Sequence, residues 1–224
     1  LSSDGQVQGV ATVAGVFDFD VEVSDTYGFT GVARYQLKIA QAAQAITGFS
    51  VDPATPVYSE GGSFEVSALG GASGQPLRFG SSSPAVCSVS GTRVALLAAG
   101  RCVLTVDQDG DANHEAAAQQ QHVVDIALAV PVLAWSADLQ RLLEQGSFEL
   151  PLPTSASPGA FSFHSSDTSV ASVEGRTVHV HGEGRAVITA EQAAAGSYAA
   201  ASAELVLVVN MRPDPTRDPG VTGL

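Results

Sequence analysis

An internal repeat constrains this chain more than any other feature of its sequence. Shifted by 84 positions, so that Glu60 falls on Glu144, the chain matches itself without a gap, and EGGSFEV at 60–66 meets EQGSFEL at 144–150. Phe79, Ser81, Ser82, Val86, Ser88, Val89, Gly91 and Val94 then fall on Phe163, Ser165, Ser166, Val170, Ser172, Val173, Gly175 and Val178. Gly100, Arg101, Val103, Thr105 and Gln108 fall on Gly184, Arg185, Val187, Thr189 and Gln192. The repeat defines two modules of 84 residues, 44–127 and 128–211, with 43 residues ahead of them and 13 after.

Within a module the dominant period is two. Cys102, Leu104 and Val106 alternate with Val103, Thr105 and Asp107, which gives a strand one apolar face and one wet face. Glycines at 91, 100, 175 and 184 stand between such runs, where hairpins need positive φ. Short strands at roughly ten-residue spacing in a unit of this size predict an all-β chain of antiparallel β-sandwich modules. The alanine-rich stretches 40–45 and 193–203 permit a helical reading, but each lies beside a strong strand pattern.

The leading residues 1–43 read as the C-terminal half of a truncated module of related kind. Gly15 opens VFDFDVEVSD as Gly100 opens RCVLTVD, and YQLKI at 35–39 parallels HVVDI at 122–126. About forty residues rarely build a core alone, so the natural chain is expected to extend upstream of Leu1.

Lys and Arg number 10 against 23 Asp and Glu, and the resulting charge of −13 repels phosphate backbones and anionic lipid heads. Nucleic acid is excluded as an expected partner. The longest apolar stretch, 126–135, is half of the roughly twenty residues a transmembrane helix requires. No signal peptide is visible in LSSDGQVQGV.

Cys87 and Cys102 fall by the repeat on Ala171 and Ala186, so both are replaced together. Paired replacement suggests a disulfide closing a short loop and hence an oxidising compartment, with two buried free thiols as the alternative.

The run SSSPAVCSVSGTRVALLAAGRCVLTVDQDGDANHEAA resembles the Ig-like repeats found in series in large bacterial surface proteins, many of which carry cysteines at these places. AGVFDFDVEVSDTYG followed by YQLKI is similar to the C-terminal half of a bacterial Ig-like module of the putative-Ig type. The tail RPDPTRDPGVTGL at 212–224 resembles the segment preceding the outer-membrane β-barrel in autotransporter-like proteins. The resemblance implies tandem Ig-like sandwiches on the bacterial cell surface, anchored to the outer membrane by regions outside this segment. Neighbouring modules of the same chain, and a host or cell-surface glycan or protein, are the partners it implies.

The most site-like string is Asp107-Gln-Asp109-Gly-Asp111-Ala-Asn113-His-Glu115, with oxygen donors at alternate positions. Asp107, Asp109 and Asp111 are therefore weak metal candidates. The spacing fails the EF-hand pattern, because Gly110 is fourth rather than sixth and Glu115 ninth rather than twelfth. Module three retains almost none of these donors, and a solvated loop is the expectation. Asp18, Asp20 and Glu22 share an outward strand face with no apolar pocket to raise a pKa for glycoside hydrolysis. His179 and His181 share a face and, with His164, form another weak metal candidate. Trp135, in the expected first strand of module three, reads as a core or junction residue.

No Gly-x-Ser-x-Gly elbow, phosphate loop or His-Glu-x-x-His occurs, and neither enzymatic activity nor a cofactor is expected. The junction DIALAVPVLAW at 125–135 lacks a Gly/Ser linker, which predicts a short, stiff connection and an elongated rod. The expected function is a non-catalytic Ig-like segment of a secreted bacterial surface protein, acting as a stalk or spacer and in adhesion. The alternative is a polysaccharide-binding accessory module of an extracellular hydrolase, which needs an aromatic platform that 6% aromatic content barely supplies.

Overall fold

A computed structural model describes residues 6–135 and 138–211, so the autotransporter-like tail at 212–224 lies outside the described residues. Sixteen strands account for the regular structure, and the only helical element among the described residues is a 3-10 turn at Leu143–Gln145. The chain divides into two compact units, one comprising Leu1–Leu97 with Arg101–Ile126 and the other Ala98–Gly100 with Ala127–Leu224.

The first unit opens with an antiparallel hairpin of β1 (Gly15–Ser24) and β2 (Thr30–Ile39). Seven strands follow: β3 (Thr47–Asp52), β4 (Ser63–Leu69), β5 (Leu77–Ser81), β6 (Cys87–Ser90), β7 (Arg93–Leu96), β8 (Gly100–Gln108) and β9 (Gln120–Ile126). They form two sheets, β3-β4-β7-β6 and β5-β8-β9. The apolar phase of these strands points inward, where Phe64, Val66, Val94, Leu104 and Val124 are buried together and Ile46, Val106 and Ala117 form a smaller cluster. β6 belongs to one sheet and β8 to the other, and the Cys87–Cys102 disulfide joins them with their Cα atoms 5.8 Å apart.

The second unit contains β10 (Leu139–Leu142), β11 (Phe148–Glu149), β12 (Phe161–Ser165), β13 (Ala171–Glu174), β14 (Thr177–Val180), β15 (Gly184–Gln192) and β16 (Ala201–Asn210). Its sheets, β10-β16-β15-β12 and β11-β14-β13, enclose Leu150, Phe163, Val178, Ile188, Leu205 and Leu207. Ala171 and Ala186 are fully buried where the preceding module has its cystines. The alanine-rich stretches are loop at 40–45, save an isolated bridge at Ala42, and loop running into β16 at 193–203.

The two sandwiches differ at their opening strand, and proline is the cause. In the first unit the Val66 N–H donates to Thr92 O on the β7 side, so the alternation of an antiparallel strand turns the N–H groups of Ser67 and Leu69 toward β3. Leu150, the counterpart of Val66, likewise donates to Arg176 O, but Pro151 and Pro153 occupy the next two outward-donating positions. Proline has no N–H to offer. β11 accordingly shrinks to two residues, the counterpart of β3 keeps an isolated bridge of Ala134 with Thr154, and β10, the counterpart of 55–58, pairs in parallel with β16. Trp135 consequently lies outside any strand, contrary to the sequence expectation, although its ring packs against Phe163 at the edge of the core.

Candidate functional site

The donor-rich loop at 107–115 links β8 to the approach of β9, and its side chains bind the protein itself. Asp109 forms a two-pronged ion pair with Arg78, whose Nη2 lies 2.6 Å from Oδ1. This guanidinium holds the Asp109 carboxyl below the usual carboxylate range. Asp111 Oδ1 accepts the backbone N–H of Asn113 at 2.8 Å and of His114 at 2.7 Å, with His114 Nδ1 at 2.9 Å. The Asn113 amide foremost, with His114, lowers the Asp111 pKa. Asp107 accepts from Gln119 Nε2 at 3.0 Å. The three carboxylates thus face three different partners.

What the loop does hold is the strand connection that leads into its own sandwich. Ala42 N–H donates to Asn113 O at 2.8 Å, and Glu115 N–H returns to Ala42 O at 3.0 Å, forming an isolated parallel bridge. Asn113 Oδ1 accepts Ala14 N–H at 2.9 Å, at the foot of the hairpin. Gln41 Nε2 reaches Asp111 O at 2.7 Å, and Gln44 Nε2 reaches Asp109 O and Glu115 O at 3.0 and 2.8 Å.

The second unit repeats this clasp. Ala129 N–H donates to Ser197 O at 3.0 Å and Ala199 N–H to Ala129 O at 2.8 Å, again across a parallel bridge. Ser197 and Ala199 are the repeat counterparts of Asn113 and Glu115. The side chains changed while the contact persisted, because the main chain makes it. Sequence reasoning read a donor string at 107–115 and missed the clasp, since backbone bonds leave no residue signature.

Two further polar residues were legible but unread. Gln108 and Gln192 are each 2% exposed, identical across the repeat, and sit in the inward phase where an apolar side chain belongs. Gln192 Nε2 donates to Ser157 O and Gly159 O, both at 2.9 Å, and its Oε1 accepts Ser155 Oγ at 2.6 Å. Gln108 Nε2 donates to Gln75 O at 2.8 Å while its Oε1 accepts Gly71 N–H at 2.6 Å. Each amide stands in for missing ladder bonds and ties a loop to the end of the long strand.

The histidines do not converge. His164 lies 3.4 Å from Glu191, His179 bonds Ser147 at 2.9 Å, and His181 bonds Ser172 at 2.8 Å, with β12 and β14 in opposite sheets. Among the described residues no three of His, Cys, Asp and Glu gather closely enough to hold a metal. Asp18 and Asp20 are engaged across the hairpin by Gln36 and Arg34 at 3.0 and 2.9 Å. A depression of about 530 Å³ over Phe161, Glu191, Gln192 and Ala201 is lined by one carboxylate and no second acid to pair with it. No helix among the described residues is long and apolar enough to cross a membrane.

No protein-family model and no curated protein matches the chain. Among solved structures it is similar to domains 1–6 of the surface layer protein SbsC, at 14% identity over 95% of this chain and 37% of that one, with a TM-score of 0.33. It is similar also to the N-terminal eight Ig domains of Down syndrome cell adhesion molecule, at 15% identity over 80% of this chain and 26% of that one, TM-score 0.39. A third likeness is to the C-terminal fragment of intimin, solved with the intimin-binding domain of its translocated receptor: 14% identity, 74% of this chain, 64% of that one, TM-score 0.28. The chain spans only about a third of the length of the first of these. With scores this low, the class rests on strand order, register and core. On those grounds the protein is an all-β tandem of Ig-like β-sandwiches.

Proposed function

We propose that this chain is a non-catalytic segment of a secreted bacterial surface protein, in which Ig-like modules act as spacers carrying an adhesive part. The observation that supports the reading is the repeated clasp. In each unit, the segment leading into the sandwich is bonded by its main chain to the same loop, whichever side chains that loop carries. Such bonds, each contributing about 0.5–1.5 kcal/mol net, favour one path of entry over a free tether. A disulfide bracing one sandwich accords with an oxidising exterior. Anchoring through an outer-membrane barrel beyond Leu224 belongs to the same proposal.

The test is to read the gene past Leu224 and to express the encoded polypeptide. Alternating amphipathic strands of about ten residues, with the modules reactive to antibody on intact cells, are the expected result. A flanking catalytic domain, together with retention of this chain on polysaccharide, would instead establish the accessory-module reading.

A further inference from the structure

The β1–β2 hairpin has one polar and one apolar face, and the apolar face is open. Asp18 pairs with Gln36 and Asp20 with Arg34 on the polar side. On the other side Phe17 opposes Leu37 and Phe19 opposes Tyr35, the last two rings stacked at 5.9 Å. Phe17, Phe19, Tyr35 and Leu37 are 41, 37, 52 and 47% exposed. Large side chains in alternating phase on one sheet face are a cost unless something covers them.

The register states which surface this is. Gly15 opposes Ile39 at the start of β1 as Gly184 opposes Val209 at the start of β15. Gly15, Gly100 and Gly184 all begin their strands with positive φ, at 149°, 130° and 147°, a conformation that favours glycine. Matched from those glycines, Phe19, Tyr35 and Leu37 take the places of Ile188, Leu205 and Leu207, which are 0, 2 and 0% exposed inside the second unit's core. The continuation matches as well. The clasped Ala42 follows the end of β2 by three residues, and the clasped Ala129 follows the end of β9 by three.

We infer that the open face of the hairpin is the inner face of a further sandwich, and that its occupant is the opening half of that module. This half consists of a strand on the free edge of β1, where β8 carries β5 and β15 carries β12, and a facing sheet over Phe17, Phe19, Tyr35 and Leu37. The polypeptide ahead of Leu1 supplies it in cis. In the complete module 56 residues precede Gly100 from Gln44, whereas 14 precede Gly15, so about forty more are required. The inference stands independently of the spacer role.

The experiment compares this chain with the natural polypeptide extended upstream by about forty residues. The extended chain should show Tyr35 shielded from acrylamide and should lose most of the anilinonaphthalene sulfonate binding of the shorter one. Phe19→Asp should lower the melting temperature of a transition present only in the extended chain and leave the shorter chain's transitions unmoved. Tyr35 equally quenched in both chains would overturn the inference. So would shielding in the shorter chain that rises with protein concentration, since a second copy would then be the occupant.

Discussion

Gln192 is buried and meets three oxygen-bearing partners, and the cost of losing it follows from what would be stranded. Gln192→Leu keeps the volume but leaves Ser157 O and Gly159 O without their donor. The second unit should lose about 1–3 kcal/mol in urea unfolding, with the fold retained. An unchanged midpoint would show that water replaces the amide. Asp111 acts in a different way, because it is half-buried in a loop and works through charge. Its folded pKa lies below the ordinary carboxylate value, so its contribution is fully present above the unfolded pKa and is lost as pH falls through the folded one. The turn at 111–114 should therefore hold through neutral and mildly acidic pH and open only below the normal carboxylate range. Amide chemical shifts of Asn113 and His114 should report that opening. In Asp111→Asn they should show no such acid transition, because the replacement accepts hydrogen bonds without titrating.

Strand existence was legible in this sequence because the inward phase repeats: Cys102, Leu104, Val106 and Ala186, Ile188, Ala190 are buried where period two puts them. Strand pairing was less legible. The prolines at 151 and 153 were visible, but their effect depends on which neighbour each N–H would have faced, and that is fixed only once β4 and β7 are in register. The clasp was illegible because its bonds are main chain, and at the donor string, expected as a solvated loop with weak metal candidates, Arg78, Gln119 and backbone amides answer the carboxylates. The proline account can be tested in the other sandwich. Ser67→Pro should remove the donor facing Ser50, and amide exchange should accelerate across β3 while β6 and β7 remain protected. Undisturbed protection at 47–52 would mean that proline does not explain the short β11.

On the scale of the whole chain, the buried side chains fall into separate sets: one core is drawn from residues 135–209 and the others from 46–126. Each unit encloses its own buried side chains, and the units should unfold in separate steps. The disulfide braces only the first unit, closing a loop with a sequence separation of 15, for which restricting the unfolded chain contributes about 3 kcal/mol. The single tryptophan, Trp135, packs on Phe163 in the second unit and reports on that unit alone. Mass spectrometry without reductant should find Cys87 linked to Cys102. Cys87→Ala with Cys102→Ala, the pair that Ala171 and Ala186 already provide in the second unit, should then lower one unfolding step seen by circular dichroism by about 3 kcal/mol. The tryptophan fluorescence midpoint should stay where it was. A fluorescence midpoint that moves with the cysteine pair would show that the units unfold as one, and two free thiols in protein folded under oxidising conditions would remove the basis for the difference.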